Sequence, residues 1–120
     1  MAARARLLIV DDEADNRRVY GDLLKAEGYA VRRAASGDEG FALALESPPD
    51  LVLSDVSMPN GDGLSLLNRM RAERKTAKVP VILMSGVRTD PEEQVEGLEQ
   101  GADDYLPKPV QPQLLRAKIA

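Results

Sequence analysis

Short apolar runs alternate with longer segments of helical period along this chain, and that alternation constrains its fold more than any other feature. The strand-like runs are Leu7 to Val10, Ala30 to Ala34, Leu51 to Ser54, Val79 to Met84 and Asp104 to Leu106. Within them, Leu51 to Leu53 and Val81 to Leu83 are apolar at every position. A strand with one wet face alternates polar and apolar residues, so an unbroken run predicts a central parallel strand covered on both sides. Five strands in strict alternation with five helical segments predict an α/β fold with a parallel sheet. The crossovers are expected to be right-handed, which places helices on both faces of an open, twisted sheet. At 120 residues the chain is sized for one such domain, residues 1–120.

The helical segments carry their own punctuation. Ala14 to Glu27 places Val19, Leu23, Leu24 and Ala26 on one face and stops at Gly28, a natural C-terminal cap. Ser36 with Glu39, and Asp90 with Glu93, match the capping box, and Pro91 sits where a first-turn proline is tolerated. Phe41 and Leu45, then Leu64, Leu67 and Met70, form the inner stripes of the second and third helices. A last helix is expected from near Pro112, presenting Leu114, Leu115 and Ile119. The lysine-bearing connection Ala72 to Val79 reads as a solvated loop. The chain stops at Ala120, about two turns into that last helix, which predicts a fragment of a longer protein.

In sheets of this class the functional crevice lies beyond the carboxyl ends of the strands. Acids gather there: Asp11, Asp12 and Glu13 follow the first strand, and Asp55 closes the third. Ser85 ends the fourth, and Lys108, between Pro107 and Pro109, follows the fifth. Two carboxylates about 4 Å apart repel by roughly 4 kcal/mol at an effective dielectric of 20. A hard divalent cation relieves that repulsion, and an all-oxygen donor set suits Mg²⁺ or Mn²⁺. With Lys108 to hold a phosphoryl oxygen and Ser85 to offer a hydroxyl, the set predicts phosphoryl transfer to Asp55 as nucleophile.

Composition removes several other chemistries. The chain has no cysteine and no histidine, so it has no disulfide, no thiolate, no imidazole base and no phosphohistidine of its own. A net charge of -4 gives no cationic field for a nucleic-acid backbone, so direct nucleic-acid binding is not expected. No apolar stretch approaches the roughly 18 residues of a membrane span, and no signal-peptide pattern is present, so a cytoplasmic location without membrane contact is expected.

At these residues the chain resembles the receiver domains of bacterial two-component response regulators. The likeness rests on Asp11-Asp12, on Asp55 followed by Met58-Pro59 and Asp62-Gly63, on Ser85, and on Lys108-Pro109 after Gly101-Ala102-Asp103-Asp104-Tyr105. It covers essentially the whole chain. It implies a flavodoxin-like, doubly wound (βα)5 fold with strand order 2-1-3-4-5. It also implies that Asp55 is the phosphoacceptor, fed by a phosphohistidine of a sensor histidine kinase or phosphotransfer protein, or by a small phosphodonor. Asp12, Asp55 and the backbone carbonyl of Ser57 would bind the metal, with Asp11 assisting through water. Lys108, in a cis Lys108-Pro109 context, would contact the phosphoryl group. Ser85 would be the switch hydroxyl and Tyr105 the switch aromatic, altering the face of the fourth helix, fifth strand and fifth helix. That face would engage an output domain or partner, or a second copy on phosphorylation. The domain would be regulatory, catalysing only its own phosphorylation and dephosphorylation.

Departures from the family pattern stand at Val110, usually aromatic, and at Gly86, usually alanine. Ser57 and Val87 occupy the positions that tune dephosphorylation, and Val87 cannot hydrogen-bond an attacking water, so a long-lived phosphoryl group is expected. Three other readings compete. A haloacid dehalogenase type phosphatase needs a second Asp two residues after the nucleophile, where Ser57 stands. A flavodoxin-like nucleotide binder needs a Gly-rich phosphate loop after the first strand, and none follows it. A phosphorylation-independent interaction module has no need of the acidic set and Lys108. Some acids have bland roles: Asp62 reads as a turn and cap residue, and Glu92, Glu93 and Glu96 as the solvated start of a helix.

Overall fold

The computed structural model describes residues 5–56, 63–85 and 102–107, together with Gln113 and Ala117. The elements run β1 (Arg6–Val10), α1 (Ala14–Ala26), β2 (Ala30–Ala34), α2 (Gly37–Glu46), β3 (Leu51–Asp55), α3 (Gly63–Ala72), β4 (Val81–Ser85) and β5 (Asp104–Pro107). All strand pairs are parallel, in the order β2-β1-β3-β4, with β5 hydrogen-bonded along β4. The alternation expected from the sequence is therefore observed through β4. The capping box at Asp90, the helix it opens, and the segment from Pro112 lie outside the described residues, apart from Gln113 and Ala117.

The unbroken apolar runs are buried on both faces. Leu8, Val10, Val52, Val81 and Leu83 join Leu66, Leu67 and Met70 of α3 in one core cluster. Leu7, Ile9, Leu53, Ile82 and Met84 join Tyr20 and Leu24 of α1 in the other. Alternate residues of one strand thus serve different cores, as period-two side chains must. β2 is an edge strand and has only Ala34 fully buried.

Local signals at the helix ends are met. Ser36 Oγ accepts from the Glu39 amide at 3.2 Å, capping α2. Gly28 follows α1 with φ of 98°, the left-handed conformation that a β-carbon opposes, and its amide donates to the Lys25 carbonyl.

Two expectations are corrected. Val19 is 56% exposed, and Ala26 is exposed as well; of the expected stripe Leu24 is buried and Leu23 packs against the core, and Tyr20 and Gly21 are buried beside them. Gly21 lies against the Arg33 guanidinium, which stands where a β-carbon would be. The 72–79 connection is not simply solvated. Thr76 is fully buried, its hydroxyl donating to the Met70 carbonyl at 2.8 Å, and Val79 is buried in the core. Arg71 organises the same stretch, donating to the carbonyls of Ala77 and Val79 and pairing with Asp103 at 3.3 Å. Asp103 in turn accepts from the Val81 amide at 2.8 Å, tying the start of β5 to the start of β4.

Candidate functional site

Register brings the acids together. Val10 lies opposite Ser54 in the β1–β3 pair, so the next residue of each strand, Asp11 and Asp55, emerges at the same edge. Strand order reverses between these two strands, with β2 beyond β1 on one side and β4 beyond β3 on the other. A crevice at a reversal of this kind is where open α/β sheets bind ligands. Asp11 is fully buried and Asp55 is 5% exposed, whereas Asp12 is exposed. Each contributes a carboxylate oxygen to a group lying within 4.8 Å of one another.

The turn that carries Asp11 and Asp12 is held from two directions. Asp11 Oδ1 accepts from the Glu13 amide at 3.0 Å, a side-chain turn that fixes the carboxylate. The Asp11 carbonyl accepts from Arg17 Nη1 at 2.7 Å, one turn into α1. Glu13 stands at the α1 N-cap position without a side-chain capping bond. The end of β3 is held similarly: the Val56 amide donates to the Met84 carbonyl at 2.8 Å, and Ser54 Oγ donates to the Asp55 carbonyl at 2.9 Å. The Gly63 amide donates to the Val56 carbonyl at 2.8 Å, joining the start of α3 to the end of β3.

The other site residues read from the sequence are placed unequally. Ser85 ends β4 opposite Pro107, and Tyr105 lies opposite Leu83, so both strands run to the same edge as Asp55; their side chains are not described. Ser57, Lys108 and Pro109 lie outside the described residues, as do Met58, Pro59, Asp62, Gly86, Val87 and Val110. Arg17 was not singled out from the sequence. Its spacing of six residues from Asp11 on an amphipathic helix carries no distinctive signal, and only the fold brings its guanidinium back to the turn.

A test of fit to a hard cation is favourable. The donor atoms are all carboxylate oxygens, they come from two rigid strand ends, and two of the three acids are buried where like charges are least screened.

The fold and this acidic edge define a class, and comparison with known proteins names it. Residues 7–120 match the response regulator receiver domain family, and the chain belongs to that family. It is 41% identical to the transcriptional regulatory protein AfsQ1 of Streptomyces coelicolor over 94% of this chain and 48% of that protein. It is also 41% identical to a gliding motility regulatory protein of Myxococcus xanthus, over 89% of this chain and 14% of the other. The chemotaxis protein CheY4 of Vibrio cholerae superposes with a TM-score of 0.89 at 31% identity, covering 99% of this chain and 97% of that one. The chain spans about half or less of the length of the curated relatives it matches. It is thus a receiver domain of two-component signalling, a regulatory module, and the phosphatase reading finds no support. Among the described residues, no helix is long and apolar enough to cross a membrane.

Proposed function

We propose that this domain accepts a phosphoryl group on Asp55 in a Mg²⁺-dependent reaction and passes the signal to an output domain or partner. The observation that carries the reading is the meeting of Asp11, Asp12 and Asp55 within 4.8 Å at the β1 and β3 ends. In the transfer, an Asp55 carboxylate oxygen forms a bond to phosphorus as the donor's P–N bond breaks. The electron pair leaves with the imidazole nitrogen of the sensor kinase or phosphotransfer protein, which takes up a proton. With acetyl phosphate the broken bond is P–O and acetate departs. Asp12, Asp55 and the Ser57 carbonyl hold the cation, and Asp11 acts through water. Bound Mg²⁺, or Mn²⁺ in its place, offsets the carboxylate charge and the charge on the phosphoryl oxygens. Lys108 contacts the phosphoryl group, with its bond to Pro109 cis.

The phosphoryl group adds about -1.5 to -2 charges and new acceptor oxygens. A hydrogen bond from Ser85 to such a charged group contributes roughly 1.5 to 3 kcal/mol, enough to tilt a balanced equilibrium. Tyr105 then turns and alters the face made by the fourth helix, β5 and the fifth helix, where an output domain, a partner or a second copy docks. Hydrolysis of the acyl phosphate by water returns the carboxylate and inorganic phosphate. Val87 makes that step slow because it cannot hold the water. The complete domain is the (βα)5 arrangement, order 2-1-3-4-5, occupying residues 1–120 of a longer cytoplasmic protein. The relatives' names support that length, since several are transcriptional regulators about twice as long as this chain.

The test is incubation with acetyl phosphate and mass measurement of the intact domain. One added phosphoryl group is expected, dependent on Mg²⁺ and absent from Asp55→Asn. An adduct that persists in that variant overturns the assignment.

A further inference from the structure

We propose that Gly63 is a positioning residue for Asp55: the absence of a side chain there leaves the end of β3 free to hold the Asp55 carboxylate at the acidic cluster. The inference rests on Asp55 being the phosphoacceptor. A β-carbon at Gly63 would stand 2.3 Å from the Asp55 carbonyl oxygen, 3.0 Å from Val56 Cα and 3.1 Å from the Asp55 carbonyl carbon. All three are backbone atoms. At Gly21 and Gly40 the added carbon meets side chains instead, the far end of Arg33 and a methyl of Val10. The end of the Arg33 side chain can turn aside, whereas Val10, fully buried in the core, and the end of β3 cannot. Its carbonyl is held by Ser54 Oγ, the next amide is bonded to Met84 in β4, and the Val56 carbonyl is bonded to the Gly63 amide itself.

The requirement is one of contact and not of dihedral angle. Among the described residues only Gly28 has a positive φ, so Gly63 has a backbone open to any residue. Real β-carbons essentially never approach closer than 3.0 Å, so an alanine methyl must drive apart the start of α3 and the end of β3 by at least 0.7 Å. Asp55 lies at the centre of that displacement. Misplacing a reacting group by about 1 Å is enough to slow a reaction roughly 100-fold.

The variants Gly63→Ala, Gly63→Val and Gly63→Asn are compared with Gly21→Ala and with the unaltered domain. Two readouts are taken: the dissociation constant for Mn²⁺ by calorimetry, and the rate of Asp55 phosphorylation by acetyl phosphate at saturating Mg²⁺. Gly63→Ala is expected to bind Mn²⁺ several-fold more weakly and to be phosphorylated roughly 10- to 100-fold more slowly. Gly63→Val should be worse, and Gly63→Asn no better than Gly63→Ala. Gly21→Ala should stay within about twofold of the unaltered domain, because a flexible side chain absorbs the change.

If Gly63→Ala unfolds the domain, the pair is repeated in a Ser54→Ala background. There the Asp55 carbonyl is released from its side-chain donor and can yield to the methyl, and the folded double variant should still be slow. A Gly63→Ala protein, or a folded double variant, that matches its parent in both readouts overturns the proposal. So does recovery by asparagine, which would indicate a dihedral requirement. If the unaltered domain takes no phosphoryl group at all, the phosphoacceptor reading fails instead.

Discussion

The two ends of the same sheet are built on opposite electrostatic terms. Around the amino edge, cationic side chains are committed to carbonyls. Arg6 reaches Ser47 Oγ and the Pro48 carbonyl, Arg32 the Leu43 and Ser47 carbonyls, and Lys75 the Leu45 carbonyl. These acceptors lie at or just past the C-terminal end of α2, where the helix dipole favours positive charge. An open groove of about 570 Å³ at that edge, lined by Arg74, Lys75 and Lys78 together with Pro49 and Pro80, holds no group used in the chemistry above. At the carboxyl edge three carboxylates converge, two of them buried. One edge lowers the energy of the fold. The other crowds like charges, an arrangement that a bound cation would relieve.

That contrast breaks if the edges exchange their responses to substitution. The largest stability effect is expected at the amino edge: Arg71→Ala leaves the Ala77 and Val79 carbonyls and Asp103 without their cationic partner. It should lower stability by about 2 kcal/mol, seen as a fall in Tm of roughly 8 °C, with Mn²⁺ affinity unchanged within about twofold. At the carboxyl edge the sign reverses. Asp12→Asn removes one of three crowded charges and should raise the Tm of the metal-free domain, by about 1 kcal/mol in stability, while abolishing the further rise that Mg²⁺ produces. A fall in metal-free Tm would show that the cluster is not strained. The smallest effect sharpens the distinction between committed and merely neighbouring charges. Arg69 pairs with Asp38 at 2.6 Å and lies over the Phe41 ring, but the pair is largely exposed. Asp38→Asn should cost no more than about 0.5 kcal/mol by denaturant titration.

Much of the carboxyl edge was legible in the sequence because each of its acids ends a strand. Strands announce themselves by unbroken apolar runs, and parallel register then delivers Asp11 beside Asp55. Caps were equally readable, since Ser36 and Gly28 act within a few residues of themselves. The amino edge was not legible. Arg71 and Asp103 are 32 residues apart, and an arginine on a helix reads as solvated until its partner's position is known. Thr76 likewise sits among lysines and a glutamate, and its burial follows from where α3 ends rather than from its neighbours in sequence. Val19 misled for the same reason: helical period counts apolar residues but cannot foresee that the fold turns Tyr20 and Gly21 inward and leaves Val19 exposed. The Asp62-Gly63 pair was visible only as a motif, and its steric meaning needed the distance to Asp55.

The β1–β3 register has a consequence for the order of events in folding. Asp11 and Asp55 are separated in sequence by α1, β2 and α2, so their carboxylates meet only once β1 has closed that long loop onto β3. A cation held between them is therefore a ligand of the finished sheet alone. Such a cation would slow the unfolding of the domain and leave the rate at which the chain first finds its topology nearly untouched.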